Sequence, residues 1–162
     1  MVRVLFVCLG NICRSPMAEA VFAHKVRQAG LEDKIASDSC GTGHWHLGEP
    51  PHRGTRDALK RQGIAYDHRA RLIQPQDLQE YDYILAMDTD NLRDIQRMGS
   101  ADGRLKLLMS YAPETGHSEV PDPYYDGRFD LVYSLVDRAT DGLLASIRRE
   151  HHLGSKEGSN SE

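Results

Sequence analysis

The segment formed by residues 1–16 constrains the possible folds more than any other part of the chain. Residues 2–7 form an apolar run, interrupted only by Arg3 and rich in β-branched side chains, which predicts a strand buried on both faces. Gly10 interrupts the run. Ser15 and Pro16 then predict a helix start, with Ser15 as the cap and Pro16 at the first helical position. A buried strand that leads through a tight loop into a helix indicates a parallel sheet covered by helices.

The alternation of strand and helix continues along the chain. Further strands are predicted at residues 35–39, 83–87 and 105–109, and further helices at residues 55–62, 91–98 and 129–150. The predicted fold is therefore a single α/β domain over residues 1–153, with a four-stranded parallel sheet and helices on both of its faces. Residues 154–162 are small and polar, and we expect them to form a disordered tail.

Length and composition exclude several classes of protein. A chain of 162 residues suits one α/β domain, and 40% hydrophobic with 27% charged residues is a globular composition. The net charge of -4 gives no reason to expect a nucleic acid or an anionic membrane as a partner. The first apolar run is too short for a signal peptide or a membrane span. Three cysteines without framework spacing argue against a secreted disulfide scaffold, so we expect a cytoplasmic protein.

The loop between the first strand and the first helix has the features of an anion site. Ligands of open α/β sheets usually bind at the carboxyl ends of the strands, and a helix N-terminus offers unpaired N–H groups. Gly10 and Asn11 are residue types that readily adopt the positive φ needed to curl N–H groups around one anion. Arg14 adds a permanently charged, planar fork that matches the oxygens of a phosphate. This segment is therefore predicted to be a phosphate-binding loop.

A cysteine lies at the start of this loop. The N–H groups, Arg14 and the Ser15 hydroxyl would stabilise the thiolate of Cys8, which is the nucleophilic form of the side chain. The same donors would surround the oxygens that carry charge during phosphoryl transfer. Each residue alone also has a structural explanation, because a cysteine at the end of a buried strand is most often a core residue. The combination favours nucleophilic chemistry on a phosphate ester.

The string Val7-Cys8-Leu9-Gly10-Asn11-Ile12-Cys13-Arg14-Ser15-Pro16 resembles the signature loop of low-molecular-weight protein-tyrosine phosphatases. The resemblance extends from residue 1 to about residue 151, and it implies hydrolysis of phosphotyrosine through a phosphocysteine on Cys8, without metal or cofactor. It also implies that Arg14 binds the phosphoryl group and that Ser15 supports the thiolate that leaves in the second step. The remaining implied roles are substrate contacts by Leu9, Gly10, Asn11, Ile12 and Cys13, and support of the loop's shape by Asn11, Ser39 and His68.

The same resemblance implies the second half of the site. Asp122-Pro123-Tyr124-Tyr125 matches the family's acid loop, with Asp122 as general acid for the departing tyrosine oxygen and then as base for the attacking water. Alone, Asp-Pro is equally consistent with an ordinary turn. Trp45, Tyr124 and Tyr125 would form walls of a slot deep enough for a phenyl phosphate, although loop aromatics are also common as packing residues. Phosphoserine would be too short to reach Cys8.

Cys13 and Tyr125 keep more than one interpretation, whereas Cys40 and Asp88 have one each. In the family, a cysteine placed like Cys13 can form a reversible disulfide with the nucleophile, but Cys13 is equally consistent with a buried small residue. Cys40 is predicted to be packed. Asp88 matches a family position and is interpreted as structural support near the site. Tyr125 belongs to a tyrosine pair that can also be phosphorylated in the family.

Three rival functions share the features of the loop. A thioredoxin-coupled arsenate reductase needs a further pair of cysteines, and the sequence has none after residue 73. Phosphoarginine phosphatases carry threonine at the position of Ile12, so that apolar Ile12 favours an aromatic leaving group. A phosphotyrosine-binding module without turnover would need neither Cys8 nor Asp122. The expected partners are therefore tyrosine-phosphorylated proteins, together with a cognate tyrosine kinase.

Sequence patterns typical of metal sites are incomplete. The histidine pairs His44-x-His46 and His151-His152 lack partners at zinc spacing. Residues 88–91 resemble the start of a calcium loop, but the glycine that such a loop requires is missing. The sequence therefore predicts no metal site.

Overall fold

The structure, a computed structural model, describes residues 1–154. Its four strands are β1 Val2–Cys8, β2 Ile35–Gly41, β3 Tyr83–Ala86 and β4 Leu105–Leu107. They are all parallel, in the order β2-β1-β3-β4, so that the first strand lies in the interior of the sheet. The predicted four-stranded parallel sheet is confirmed. The predicted tail, residues 154–162, lies outside the described residues apart from Gly154.

Six α-helices flank the sheet in the described part of the chain. They are α1 Arg14–Gln28, α2 Arg53–Arg61, α3 Asp77–Glu80, α4 Thr89–Met98, α5 Pro123–Asp126 and α6 Phe129–Glu150. Single turns of 3₁₀-helix cover Leu108–Tyr111 and Pro113–Thr115. Among residues 1–154, no helix combines the length and the apolar character that crossing a bilayer requires.

Strand β1 separates two apolar layers. Val4 and Phe6 belong to the layer that contains the buried side chains of α1, α2 and α6. Leu5 and Val7 belong to the opposite layer, which contains buried residues of α3 and α4. All four side chains have no exposed surface, which agrees with the apolar run and with helices on both faces. The burial of β1 on both sides fixes the position of the loop that follows it.

Apart from small shifts at the ends of other elements, the structure differs from the predicted strands and helices in two places. The strand predicted to reach residue 109 ends at Leu107, because Leu108 and Met109 are buried within a 3₁₀ turn that packs against α6. The short helices α3 and α5 were not predicted. Each has four residues, too few for the apolar periodicity from which a helix can be recognised.

The packing of Phe22 against β1 leads to a prediction about stability. Phe22 has no exposed surface and meets Phe6 edge-on, with ring centroids 5.6 Å apart. Truncation of a buried phenylalanine costs about 3–5 kcal/mol, because transfer free energy is lost and a cavity remains. We therefore expect Phe22→Ala to lower the free energy of unfolding by that amount in urea denaturation. Leu47→Ala, at an exposed position, is the control; equal effects of the two variants would contradict the packing argument.

Candidate active site

The loop between β1 and α1 holds Cys8 at its base. Cys8 is the last residue of β1 and is 2% exposed. Its Sγ accepts a hydrogen bond from the backbone N–H of Asn11 at 3.3 Å and lies 3.0 Å from the Ser15 hydroxyl oxygen. Asn11 has a φ of 58°, in the left-handed region, so the chain turns sharply beside the sulfur. The loop thus provides donors for a negatively charged sulfur before any ligand is bound.

Ser15 is not a helix cap, as the sequence had suggested. Helix α1 begins at Arg14, its N-cap is Cys13, and no side chain caps it. The buried Ser15 hydroxyl accepts a hydrogen bond from Asn11 Nδ2 at 2.9 Å, and its proton can be donated to Cys8 Sγ at 3.0 Å or to the Cys40 carbonyl at 3.4 Å. The structure therefore shows why the capping interpretation was wrong: the hydroxyl is engaged by the cysteine and asparagine of the loop.

A network of hydrogen bonds holds Asn11 in its strained conformation. Asn11 Nδ2 also donates to Ser39 Oγ at 3.1 Å, and Asn11 Oδ1 lies 2.8 Å from His68 Nε2 and accepts from the Arg71 backbone N–H at 3.0 Å. Because Oδ1 only accepts, the proton of a neutral His68 ring is assigned to Nε2. Asn11 is 1% exposed and does not line the cavity, so its position is that of a supporting residue beneath the loop.

Glu19 extends this network, and sequence reasoning had given it no role. Glu19 Oε1 accepts hydrogen bonds from Ser39 Oγ at 2.9 Å and from the Tyr66 hydroxyl at 2.7 Å. Burial raises the pKa of Glu19 to about 7, and the two hydrogen bonds only partly oppose this effect. Burial also lowers the pKa of His68. No local sequence signal joins Glu19 to Tyr66, because the two residues meet only after folding.

Arg14 is buried at the start of α1, and hydrogen bonds to residues outside the phosphate-binding loop hold its guanidinium in place. One nitrogen, Nη1, donates to Asp88 Oδ2 at 2.6 Å and to the Val120 carbonyl at 3.1 Å. Burial alone would lower the pKa of Arg14, but the negative charge of Cys8 and the hydrogen bond to Asp88 outweigh it and raise the pKa. Asp88 is itself held as the N-cap of α4, since its Oδ1 accepts the Asn91 N–H at 2.8 Å. The guanidinium is thus charged and oriented before any anion arrives.

Asp122 lies opposite the loop, at the N-terminus of α5. Its Oδ1 accepts the Tyr124 N–H at 3.0 Å, which caps the short helix. Its other oxygen, Oδ2, lies 3.7 Å from Arg14 Nη2. The side chain is one-third exposed, so that it can reach both solvent and a bound ligand. Pro123 at the first helical position fixes the direction in which the chain leaves Asp122.

These residues border one cavity of about 420 Å³. Its lining contains most of the residues predicted to contact a ligand: Cys8, Leu9, Gly10, Ile12, Cys13, Arg14, Trp45, Asp122, Tyr124 and Tyr125. Three aromatic side chains line the entrance of the cavity and are not packed in the core. They are Trp45, Tyr124 and Tyr125, which are 63%, 46% and 87% exposed. The structure adds His46, whose ring lies so close to Gly10 that a Cβ at that position would be 3.1 Å from it. The Nδ1 atom of His46 lies 3.1 Å from Glu49 Oε1. From the sequence, His46 was interpreted only as one histidine of the incomplete zinc pair His44-x-His46.

All three cysteines are free and buried. Burial raises the pKa of Cys13 to about 12, and the nearby Cys8 and Asp122 act in the same direction. Burial likewise raises the pKa of Cys40 far above its ordinary value. Cys13 and Cys40 are therefore neutral thiols at neutral pH. Whether Cys13 forms a disulfide with Cys8 stays a prediction.

A parallel α/β sheet with a cysteine and an arginine in the loop after its first strand is the arrangement of a cysteine-dependent phosphatase. The sequence matches the model of the family described as "Low molecular weight phosphotyrosine protein phosphatase" over residues 3–153. The chain belongs to this family, and it is accordingly an enzyme of the protein-tyrosine-phosphatase class.

Individual relatives support this assignment over nearly the whole chain. The low molecular weight protein-tyrosine-phosphatase YfkJ of Bacillus subtilis is 47% identical over 156 residues, which are 94% of this chain and 100% of that protein. A low molecular weight phosphotyrosine protein phosphatase of Schizosaccharomyces pombe is 49% identical over 152 residues, 90% of this chain and 97% of that protein. The crystal structure of YfkJ superposes with a TM-score of 0.90 over 93% of this chain and 96% of that chain. The Drosophila arginine phosphatase, 33% identical, superposes with a TM-score of 0.82 over 93% of this chain and 98% of that chain.

Proposed function

We propose that this enzyme hydrolyses phosphotyrosine in proteins through a phosphocysteine intermediate on Cys8. The observation that carries the proposal is the convergence of the Cys8 thiol, the Arg14 guanidinium and the Asp122 carboxyl on one cavity. A module that only binds phosphotyrosine would need the guanidinium and the N–H groups of the loop, but neither the thiol nor the carboxyl. The presence of all three groups supports turnover.

In the first step, the Cys8 thiolate attacks phosphorus, so that an S–P bond forms while the bond from phosphorus to the tyrosine oxygen breaks. Arg14 and the N–H groups of the loop bind the three other phosphoryl oxygens, where negative charge is concentrated in the transition state. Asp122 donates its proton to the departing oxygen, which leaves as a neutral phenol. Leu9, Gly10, Ile12 and Cys13 form the surface of the loop that contacts the substrate.

In the second step, water attacks the phosphocysteine. Asp122, now a carboxylate, takes a proton from the water, the S–P bond breaks, and inorganic phosphate leaves with Cys8 restored as a thiolate. The Ser15 hydroxyl, 3.0 Å from Sγ, stabilises this leaving group. Asn11, supported by Ser39 and His68, keeps the loop in the same shape throughout, so that both steps use one set of donors.

The walls of the cavity support an aromatic substrate. Trp45 and Tyr124 can enclose a phenyl ring at the mouth, while the phosphoryl group reaches Cys8 at the base. We assign this activity to a domain of residues 1–153, acting on tyrosine-phosphorylated proteins and opposing a tyrosine kinase. The three free thiols favour a reducing compartment, so a cytoplasmic location belongs to the proposal.

A phosphoarginine substrate is the second candidate, because an arginine phosphatase is among the similar structures. The apolar side chain of Ile12 argues for tyrosine, since it borders the cavity where a polar leaving group would need a partner. An arsenate reductase would need further accessible cysteines, and Cys40 is fully buried.

The proposal is tested by the hydrolysis of three peptides that differ only in their phosphorylated residue: phosphotyrosine, phosphoserine and phosphoarginine. The assays contain EDTA and reductant. We expect kcat/KM for the phosphotyrosine peptide to exceed the values for the phosphoserine and phosphoarginine peptides by at least about 10²-fold. This is the usual effect on rate when the reacting atom lies about 1 Å from its productive position. A preference for phosphoarginine would change the assigned substrate and leave the phosphocysteine mechanism unchanged. Turnover of none of the three by folded protein would overturn the proposal in favour of a binding module.

A further inference from the structure

A second groove lies beside the cavity that contains Cys8. It has a volume of about 580 Å³ and shares three bordering residues with that cavity, namely Leu9, Arg14 and Asp122. The rest of its border is the N-cap of α4 and one side of that helix: Asp88, Asp90, Asn91, Arg93, Asp94 and Arg97. This space is called the α4 groove below. The aromatic walls of the cavity do not border it, so the groove is a separate space that opens beside the site.

Asn91 is a buried residue of the α4 groove with an unused hydrogen-bond acceptor. It is 2% exposed, and its Oδ1 atom accepts no hydrogen bond within residues 1–154. Its backbone N–H donates to Asp88 Oδ1, but this bond does not involve the side chain. A buried amide oxygen without a donor is unfavourable, and most such atoms in folded proteins have a partner. Rotation about the last side-chain torsion can turn Oδ1 towards the groove, where a ligand can supply the missing N–H.

The charges around the α4 groove nearly balance. Three arginines face four aspartates, and one of the four, Asp122, carries a proton when it acts as general acid. On α4 itself, each arginine is paired with the aspartate three positions before it, at 2.8 Å for Arg93 and at 3.2 Å for Arg97. The side chains of both arginines are more than half exposed, and such exposed pairs are weak enough to exchange for other partners. The groove therefore offers donors and acceptors side by side, with little net charge.

We propose that the α4 groove binds the main chain of the protein substrate beside the phosphotyrosine, with the Asn91 amide and the arginines of α4 as hydrogen-bond partners. This rests on the proposed function, because the phosphoryl group is taken to lie over Cys8. A phosphotyrosine held there has its own main chain at the mouth of the cavity, and each further residue extends the chain by about 3.5 Å. Since Leu9 and Asp122 border both spaces, the neighbouring residues of the substrate can pass directly from the mouth into the groove.

The lining of the groove favours a main chain over a charged ligand. A main chain is uncharged and presents one N–H and one C=O per residue, which match the carboxylates, the amide and the guanidiniums of the groove. A second phosphate or a carboxylate ligand would meet the aspartates as well as the arginines. The enzyme would thus favour phosphotyrosine within an extended polypeptide over the isolated residue, with little dependence on the neighbouring side chains.

The test compares two ligands: phosphotyrosine blocked at both ends, and the same residue flanked by two alanines on each side. Their affinities are measured by isothermal titration calorimetry with the full chain carrying Cys8→Ser, so that the readout does not require turnover. We expect the peptide to bind more tightly, and added Asn91→Ala to reduce this gain by about two- to tenfold, the usual net effect of one hydrogen bond. Added Arg97→Ala, at an exposed position outside the core, should also reduce the gain. The matched control is Gln96→Ala, which removes an exposed amide of the same helix outside the groove and should leave the gain unchanged.

Two further measurements distinguish binding of a main chain from other roles. If the Asn91 side chain were only structural, Asn91→Ala would lower the melting temperature of the unliganded protein. We expect no such loss, because the oxygen that is removed has no partner within residues 1–154. Replacing the flanking alanines of the peptide by aspartates or by lysines should preserve the Asn91-dependent gain.

Three results would overturn the proposal. The first is an equal gain in the Asn91→Ala, Arg97→Ala and Gln96→Ala proteins, and the second is equal binding of the two ligands when Asn91 and Arg97 are both present. The third is a gain confined to peptides of one charge, which would assign the groove to a side chain of the substrate. Failure of the proposed function is recognised separately, since the wild-type enzyme would then bind the peptide with the Asn91-dependent gain and not hydrolyse it.

Discussion

Replacing Cys8 by serine is expected to abolish turnover of a phosphotyrosine peptide while binding of inorganic phosphate is retained. A serine hydroxyl in the same position is a far weaker nucleophile, because the loop's donors cannot bring it to the anionic form at neutral pH. Removal of a nucleophile in covalent enzymes costs on the order of 10⁶ in kcat, and we expect a loss of that size. The donors on the phosphate, Arg14 and the N–H groups of the loop, are unchanged. Steady-state kinetics and calorimetry with phosphate measure the two properties separately.

Cys40→Ser is the matched control for this substitution. Cys40 is as deeply buried as Cys8 but lies in the apolar layer on the other side of β1, so the change can reduce stability without touching the reaction. A Cys8→Ser protein with kcat within tenfold of the wild type would show that the reaction does not proceed through a phosphocysteine.

Replacing Asp122 by asparagine is expected to reduce kcat for a phosphotyrosine peptide by about 10²–10⁴, the usual contribution of a general acid. Asparagine keeps the oxygen that accepts the Tyr124 N–H, so the cap of α5 is preserved. With p-nitrophenyl phosphate, whose leaving group departs without a proton, we expect a much smaller loss in the first step. The comparison of both substrates, with rapid mixing to observe the release of the phenol, separates proton donation from a general loss of structure.

The control for Asp122→Asn is Asp126→Asn in the same short helix. Asp126 is exposed and accepts hydrogen bonds from Arg128, away from the cavity. We expect this variant to retain wild-type kcat on both substrates. Equal losses on both substrates in the Asp122→Asn protein would remove Asp122 from the role of general acid.

The sequence predicted the parts of the molecule that depend on local signals. Strand β1 and the loop after it could be recognised because the apolar run, Gly10 and Pro16 all lie within one short segment. The parallel sheet followed from the alternation of strands and helices, which continues for most of the chain. The acid loop at Asp122 could be found only through the family resemblance, since Asp-Pro alone is an ordinary turn start.

The contacts that cross large sequence distances could not be predicted in this way. Glu19, Tyr66 and His68 look like unrelated polar residues until α1 and the segment after α2 come together. Ser15 was misassigned for a different reason: Ser-Pro is a common helix start, whereas the curled loop turns the hydroxyl towards Asn11 and Cys8, four and seven residues away. In both cases the local propensity of the residue is overridden by its surroundings in the folded site.

Asp88 accepts hydrogen bonds from two different elements, and these connect the site to a helix on the other face of the sheet. One carboxylate oxygen begins α4 by accepting the Asn91 N–H, and the other holds the Arg14 guanidinium. Fraying of the first turn of this ten-residue helix would therefore free Asp88 and leave the guanidinium with its hydrogen bond to the Val120 carbonyl as the main restraint, while the core of β1 stayed intact. We therefore expect catalytic competence to be lost through local opening of α4 before global unfolding. In native-state hydrogen exchange, the Asn91 amide would report this opening, and inactivation on warming would precede the cooperative melting of the sheet.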